Sequence, residues 1–226
     1  MKTKGICRLQ IVFLIGCALL GGSVTSLWAA EGSLIDASRS GDIERVRSLI
    51  GSKADMNLKD ENGRTALMNA VTEGHIEVVR MLLEAKADVN AKTENGDTAL
   101  ICAAQYGLVQ KLAHALAKGM LKEAGIEADG KDTSTKSTQA EEAKVGEEMV
   151  RALLAARADV NTGNGQGQTA LMYASIDGNP GIVRALLAAR ADVKARNKEG
   201  QTALRIAKDC KNDEVVKLLK AAGARE

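Results

Sequence analysis

The side chains that most often do chemistry are few in this sequence and lie far apart. The two histidines, His75 and His114, have no cysteine or carboxylate cluster at metal-ligand spacing beside them, which argues against a zinc site. No Ser, His and Asp set can be assembled by spacing, and no glycine-rich phosphate loop precedes a helix. We therefore expect no catalytic residue, no metal site and no cofactor.

The charge balance argues against a nucleic-acid partner. Lysine and arginine number 31 against 29 aspartates and glutamates, and three of the cations, Lys2, Lys4 and Arg8, precede an apolar N-terminal run. The rest of the chain is therefore close to neutral, whereas binding nucleic acid by bulk charge needs a net basic face. Hydrophobic residues make up 45% of the chain but aromatic residues only 2%, so Ala, Leu, Val, Ile and Met must build the core.

Residues 1–30 follow the plan of an export signal. The three N-terminal cations are followed by a run without charged residues from 9 to 30, which ends in small side chains. We expect a signal peptide that is cleaved near 26–30. The remaining chain is then expected to be periplasmic or secreted.

Two alternatives to a cleaved signal stay open. The segment Leu14–Cys17 resembles a bacterial lipobox, which would make Cys17 a lipidated N-terminus. The uncharged run from 9 to 30 is also long enough to span a bilayer as an uncleaved anchor. In either case the membrane is expected to be contacted only through the N-terminal segment.

The rest of the chain repeats with a period of 33 residues. The string Gly-x-Thr-Ala-Leu occurs four times, beginning at Gly63, Gly96, Gly167 and Gly200. An Ala-Asp pair recurs with the same steps of 33, 71 and 33, ending at Asp55, Asp88, Asp159 and Asp192. A third series keeps Gly107 in phase with its neighbours, at Gly41, Gly74, Gly107 and Gly178. One repeat therefore carries a 38-residue insertion, placed most simply at 108–145.

This motif at this period resembles the ankyrin repeat, over residues 31–226. The resemblance implies an all-α solenoid of about five helix-turn-helix units, which fall at 31–62, 63–95, 96–166 with the insertion, 167–199 and 200–226. The family's Pro and His in the first helix are absent, because Ala66 and Met68 hold those positions in the second unit. The resemblance also gives His75 a structural hydrogen bond.

The residues themselves support two helices in each unit. A threonine precedes each Ala-Leu run and can cap a helix N-terminus, at Thr65, Thr98, Thr169 and Thr202. Alanines one and five positions later keep this first helix thin enough for close stacking. The second helix has helical apolar spacing, as at Ile76, Val79, Leu82 and Leu83. Neither short helix can bury its apolar face alone, so neighbouring units must do it.

Four cations stand where the family has the glycine that ends the second helix: Lys53, Lys86, Arg157 and Arg190. A residue other than Gly in that left-handed turn costs about 1 kcal/mol. Stacking would align the four in a ridge that could bind an anion. Alternatively, each cation simply faces a helix C-terminus, which is favourable, beside the Asp two positions on. We favour the second explanation, because a run of charge is usually a solvated face.

The insertion begins with a helical pattern, in which Val109, Leu112, Leu116 and Met120 share one face. A polar loop is expected from 125 to 140, and a second helical pattern starts at Glu141. The insertion could bind a partner or be a tolerated excursion. A second alignment also stays open, in which 108–120 is the second helix of the third unit and 141–156 is an extra helix.

The two cysteines outside the N-terminal segment, Cys102 and Cys210, are expected to be free thiols. They lie two units apart along the repeat, which is about 18 Å at the usual helix-packing distance. A disulfide needs roughly 4.4–6.8 Å between Cα atoms.

The ankyrin resemblance implies a non-catalytic module that binds another protein through its concave face. Family geometry places fourteen contact residues on this concave face, beside the turn glycines and at the ends of the first helices: Glu61, Asn62, Arg64, Thr72, Glu73, Glu94, Asn95, Asp97, Gln105, Tyr106, Gln166, Gln168, Ile176 and Asp177. Tyr106 is the preferred anchor. Five acids in the set predict a basic patch on the partner.

Two other functions are possible from the sequence. The 108–145 insertion could make the chain a small-molecule-binding or catalytic-accessory protein. A secreted effector that acts on a host protein is the other candidate.

Overall fold

The computed structural model describes residues 34–123 and 133–225, with side chains described outside 117–139. The expected export signal at 1–30, its cleavage site and Cys17 lie outside the described residues. Within the described ranges, no helix is long and apolar enough to cross a membrane.

The described residues form ten helices and no strand, arranged as five consecutive pairs. The pairs are α1 (34–40) and α2 (Ile43–Gly51), α3 (Ala66–Glu73) and α4 (Ile76–Glu84), α5 (Ala99–Glu123) and α6 (Thr133–Ala155), α7 (Ala170–Asp177) and α8 (Pro180–Ala188), and α9 (Ala203–Asp209) and α10 (Asp213–Ala221). First helices pack on first helices, from α3 through α5 and α7 to α9. Second helices pack likewise from α2 through α4, α6 and α8 to α10. The predicted all-α solenoid is confirmed.

The first helices start where the threonines predict. Each hydroxyl oxygen accepts the amide hydrogen three residues on, at 3.4 Å for Thr65, Thr98 and Thr169 and at 3.3 Å for Thr202. The alanines one and five residues later are at most 2% exposed in all four helices. These small side chains let neighbouring first helices approach closely, as the sequence predicts.

The apolar core lies between the row of first helices and the row of second helices. From the second helices it receives Val79 and Leu82 of α4 and Val183 and Leu186 of α8, each fully buried. Ile76 and Leu83, predicted on the same face, are partly buried at its edge. Burial is thus shared between units, and no unit has a core of its own.

A row of asparagines in the turns that follow the second helices joins successive units, and we call it the asparagine ladder. The side-chain oxygens of Asn57, Asn90 and Asn161 each accept the backbone amide of the aspartate in the next unit, at 2.8 Å. The acceptors recur because the units repeat, so the ladder fixes the rise from one unit to the next.

The insertion lengthens both helices of the third unit. Helix α5 continues through Gly107 without a break, and the end of α6, 147–155, occupies the place that α4 has in its unit. Because α6 packs against both α4 and α8, the alternative assignment of 108–120 as the second helix is wrong. The expected polar loop is also wrong for 133–140, which belong to α6.

The four cations that replace the helix-ending glycine have left-handed backbones. Their φ angles are 62° at Lys53, 66° at Lys86, 67° at Arg157 and 64° at Arg190. A fifth cation, Lys211, has φ 59° at the position where the first, second and fourth units place a glycine after the first helix. The predicted strain is therefore present in four successive units. None of the four forms an ion pair within the described residues, and the expected Asp neighbours instead accept backbone amides two residues on.

Candidate functional site

The turn before each first helix is closed by a polar side chain. Asp60 Oδ1 accepts the amides of Asn62 and Arg64, both at 2.9 Å, and Asn164 Oδ1 accepts those of Gln166 and Gln168, both at 3.0 Å. Burial alone would raise the pKa of Asp60. The hydrogen bonds from backbone amides and from Asn69, together with the charge of Arg39, hold it below its ordinary value. These turns carry the predicted contact residues on a fixed backbone.

Successive turns also touch one another through their backbones. The amide of Gly165 donates to the carbonyl of Asn95 at 2.7 Å, and the amide of Lys198 donates to that of Gln166 at 2.9 Å. A Cβ atom at Gly165 would lie 2.9 Å from the same Asn95 oxygen, so only glycine permits this approach. The turn tips of neighbouring units are thereby held in register.

Side chains from one first helix reach the next across the concave face. Arg39 contacts Asp60 at 3.3 Å and Asn69 at 3.5 Å. Two units further on, Tyr173 is half-buried and its hydroxyl accepts from Asn164 Nδ2 at 3.2 Å. Gln105 of the preceding unit also lies close to the Tyr173 hydroxyl.

The same Asn164 amide donates to Asp97 Oδ1 at 2.9 Å. Asp97, predicted as a free acidic contact, is therefore tied into a polar network that links the third and fourth units. Tyr173, which the sequence analysis did not select, lies at the centre of this network. Tyr173 follows Cys102 by 71 residues, the step from the third unit to the fourth, so an aromatic residue at this first-helix position was the available signal in the sequence.

The fourteen predicted contact residues differ widely in exposure. Six are exposed: Glu61, Asn62, Glu73, Glu94, Asn95 and Gln166. Six are half-buried: Arg64, Thr72, Asp97, Gln105, Gln168 and Ile176. Tyr106 and Asp177 are buried. Twelve of the fourteen thus remain available to a partner in some degree.

Three exposed carboxylates lie at the turn tips and first-helix end of neighbouring units. Glu61, Glu73 and Glu94 form no ion pair within the described residues. On the second helices, Glu148 pairs with Arg80 and Glu214 with Arg184, whereas Glu77 and Glu84 of α4 form no ion pair within the described residues. These three carboxylates therefore carry charge that no ion pair neutralises within the described residues, on a side that also holds the exposed turn lysine Lys198.

Tyr106 does not lie at the surface, contrary to its predicted role as anchor. It is 8% exposed, and its ring lies over Gly74, where a Cβ atom would be 2.8 Å from Tyr106 Cζ. Burial, and then the charge of Glu142, raises the pKa of its phenol. Tyr106 is buried because α5 does not end at Gly107. The residue therefore lies inside the helix, where its ring faces Gly74 of the preceding unit and Gly146 of α6.

Asp177 is likewise not a free acidic contact. Its side chain is 2% exposed, and Lys111 Nζ lies 2.8 Å from its Oδ1 and 2.7 Å from its carbonyl oxygen. Gly107 of α5 lies against the same carboxylate, with its Cβ position 2.8 Å from Oδ2. The insertion thus neutralises the acid that the sequence assigned to the partner.

The remaining reactive groups have structural surroundings. His75 Nε2 lies 3.1 Å from the carbonyl oxygen of Arg39, in line with its expected hydrogen bond. Cys102 and Cys210 are free thiols, and burial raises the pKa of Cys102 from 9.0 to about 11. No group of three or more His, Cys, Asp and Glu residues in the described ranges could hold a metal ion.

A shallow groove of about 430 Å³ runs between α6 and α8. It is lined by Leu154, three alanines of α8 and its C-cap, and the arginines Arg151 and Arg184, which pair with Glu147 and Glu214. Its lining contains no nucleophile and no carboxylate.

Comparison with protein families gives one match. A family model described as ankyrin repeats (3 copies) matches residues 34–132 and 140–225. Among curated proteins, none matches the chain significantly. Two helices per 33-residue period, stacked first on first and second on second, agree with the family match. The chain belongs to the ankyrin-repeat family, whose members generally mediate interactions between proteins.

Proposed function

We propose that this chain is an exported, non-catalytic module that binds one partner protein through its concave face. The observation that carries the proposal is a set of three exposed carboxylates on adjacent units, Glu61, Glu73 and Glu94, which form no ion pair with any residue that the structure describes. An unpaired charge on a rigid surface is available to an incoming partner without breaking an existing contact.

The partner is proposed to present a basic patch. Complementary charge speeds encounter and disfavours wrong partners, and it fixes orientation more than it adds affinity. Affinity itself needs a partly buried centre, since a few side chains carry most of the binding energy. Tyr173 replaces Tyr106 in that role, because it is half-buried beside Gln105 and Asn164 and so stays partly open to a partner.

The test is crosslinking in native cells followed by affinity purification and mass spectrometry. Wild type is compared with Glu61→Lys/Glu94→Lys, which reverses the charge at two equivalent turn tips. We expect one partner to be lost from the variant, and its recovery to fall as salt concentration rises.

The matched control is Glu77→Lys/Glu84→Lys. These two glutamates are exposed on α4, on the opposite side of the same unit, so the change in net charge is identical. A partner lost from both variants would reflect net charge alone. A partner kept by both would contradict binding through the concave face.

Export is proposed from the N-terminal segment alone. Fractionation of cells and N-terminal sequencing of the purified chain test it directly. A new N-terminus near 26–30 in the periplasm or medium would support a cleaved signal, whereas a lipid-modified Cys17 or an intact N-terminus in the membrane would support an anchored form. Recovery of the intact chain in the cytoplasm would contradict export.

A further inference from the structure

The turn that precedes the last unit carries a charge that the other turns lack. The turns can be compared over nine-residue segments at equivalent positions, which are 56–64, 89–97, 160–168 and 193–201. The first holds two cations and two acids, the second one cation and two acids, the third no charged residue, and the last three cations and one acid. Their formal charges are therefore 0, −1, 0 and +2, and we call the segment 193–201 the basic turn.

The three cations of the basic turn, Lys194, Arg196 and Lys198, are all exposed. None of them forms an ion pair with a residue that the structure describes. Arg196 Nη1 donates to the carbonyl oxygen of Gly200 at 2.7 Å, which positions the guanidinium group without neutralising it. The positive charge of this turn is therefore open to an incoming anion.

The basic turn continues the row of turn tips that carries the exposed acids. Lys198 holds the position that Glu61 and Glu94 have in earlier turns, and Gly165 holds it in the turn between. The backbone amides of Gly165 and Lys198 each donate to a carbonyl oxygen of the turn before, at 2.7 and 2.9 Å. One continuous edge of the solenoid therefore presents acid, acid, no charge and base in a fixed order.

The uncharged turn keeps the two kinds of charge apart. Glu94 and Lys198 lie two units apart, which is about 16–20 Å at the usual helix-packing distance. Charges in solvent are screened over about 8 Å at physiological ionic strength, so these two do not neutralise each other. Tyr173 belongs to the unit between them, where its hydroxyl accepts from Asn164 of the uncharged turn. The half-buried tyrosine thus lies between an acidic and a basic contact.

We infer that the partner carries an acidic group beyond its basic patch, and that this acidic group binds the basic turn. The inference rests on the proposed function, in which the basic patch meets Glu61 and Glu94. The acidic group then lies about 16–20 Å further along the partner surface, past the contact with Tyr173. The reverse orientation would set like charges against each other at both ends. The two contacts therefore give the partner one direction along the solenoid.

The test adds a second variant of the full chain to the crosslinking experiment in native cells. Lys194→Glu/Lys198→Glu reverses two charges of the basic turn and leaves Glu61 and Glu94 unchanged. We expect recovery of the wild-type partner to fall by about tenfold or more, because like charges then face each other at this contact. Thermal unfolding monitored by circular dichroism shows whether the variant is folded.

The matched control is Lys217→Glu/Lys220→Glu, which makes the same change in net charge at exposed positions of α10. It should retain the partner. Loss from this control as well would reflect the overall charge of the last unit and overturn the inference. Loss from Glu61→Lys/Glu94→Lys, with full recovery from the basic-turn variant, would leave the proposed function standing and overturn only the acidic contact. Recovery from every variant would contradict both.

Photocrosslinking measures the order of the two contacts directly. The photoreactive residue p-benzoylphenylalanine is placed at position 95 or 199, where Asn95 and Glu199 are exposed beside Glu94 and Lys198. Mass spectrometry then identifies the crosslinked peptides of the partner. We expect an excess of Lys and Arg in those from position 95 and an excess of Asp and Glu in those from position 199. The opposite order, the same charge at both positions, or nucleic acid in place of protein at position 199 would overturn the inference.

Discussion

Lys111 Nζ lies 2.8 Å from Oδ1 of Asp177 and 2.7 Å from the carbonyl oxygen of the same residue, 66 positions along the chain. The lysine is half-exposed, but the aspartate side chain is 2% exposed. One ammonium group thus compensates a buried carboxylate and the C-terminal end of α7 together, which ties the insertion to the fourth unit.

Replacing this lysine should destabilise the protein. In Lys111→Met the buried carboxylate loses its cation, and we expect the free energy of unfolding to fall by about 2–3 kcal/mol. This loss is smaller than for an ion pair in which both partners are buried, because Lys111 is half-exposed. Denaturant titration measures the change. Adding Asp177→Asn should recover part of the loss, because the buried group is then neutral.

A surface ion pair provides the comparison. Arg151→Met breaks the pair with Glu147, in which the arginine is 68% exposed, and should change the free energy of unfolding by about 0.5 kcal/mol or less. If Lys111→Met destabilised the protein no more than Arg151→Met, the Lys111–Asp177 pair would not be what ties the insertion to the fourth unit.

Gly74 should tolerate no side chain, because Tyr106 covers it. Its φ of 83° costs an alanine about 1–2 kcal/mol, and overpacking against the ring adds about 1–3 kcal/mol. Gly200→Ala isolates the backbone cost, since φ is 75° there and nothing lies within 4 Å of its Cβ position. We expect Gly74→Ala to lower the melting temperature clearly more than Gly200→Ala.

The additional cost of Gly74→Ala over Gly200→Ala should depend on the phenol hydroxyl group of Tyr106. Tyr106→Phe removes the hydroxyl group nearest to the new methyl group, so Gly74→Ala should cost less in that background than in the wild type. Additive costs in this double-mutant cycle would argue against the packing of Tyr106 on Gly74.

Glycine should be preferred to alanine at Lys86. At φ 66°, both lysine and alanine are strained, so Lys86→Gly should be more stable than Lys86→Ala by about 1–2 kcal/mol. Compared with the wild type, Lys86→Gly should gain less stability, because the lysine cation itself stabilises the C-terminal end of α4 by about 0.3–1 kcal/mol. Equal stability of the two variants would contradict a left-handed backbone at this turn.

The two thiols should differ strongly in reactivity. The folded pKa of Cys102 is about 11, above its ordinary 9.0, so at pH 8 its thiolate fraction is about 100-fold lower than that of an ordinary thiol. Cys210 is exposed and should alkylate first, as measured by peptide mapping of the native protein. Because the thiolate is the reactive form, labelling of Cys102 should keep rising as the pH approaches 11. Equal labelling rates at pH 8 would contradict its burial.

Local patterns gave a correct account of most of the fold. The Thr caps, the alanine spacing and the left-handed cations each depend on a few residues within one unit, and all of them are present in the structure. The course of α5 was missed for a physical reason. A glycine after a short helix usually ends it, and Gly107 matches Gly74 in sequence but is followed by residues that continue the helix.

The candidate site was harder to predict, since exposure depends on the neighbouring unit. Glu61 and Glu94 project from turn tips, so their exposure follows from position within the unit. Tyr106 and Asp177 are covered by α6 and by the α5 extension, whose placement follows from the insertion and not from the period. The unpredicted course of α5 therefore explains why both residues are buried.

The asparagine ladder stops before the last unit. Asn161 is its final acceptor, and the next equivalent position holds Lys194, whose ammonium group can only donate. The terminal pair α9 and α10 lacks this bond, and it is attached by packing, turn contacts, the Arg184–Glu214 ion pair and hydrogen bonds from Asn212 Nδ2 to the carbonyl oxygens of Ser175 and Ile176. Opening of the solenoid should begin at that end, and amide hydrogens of α10 should exchange with solvent sooner than those of α4.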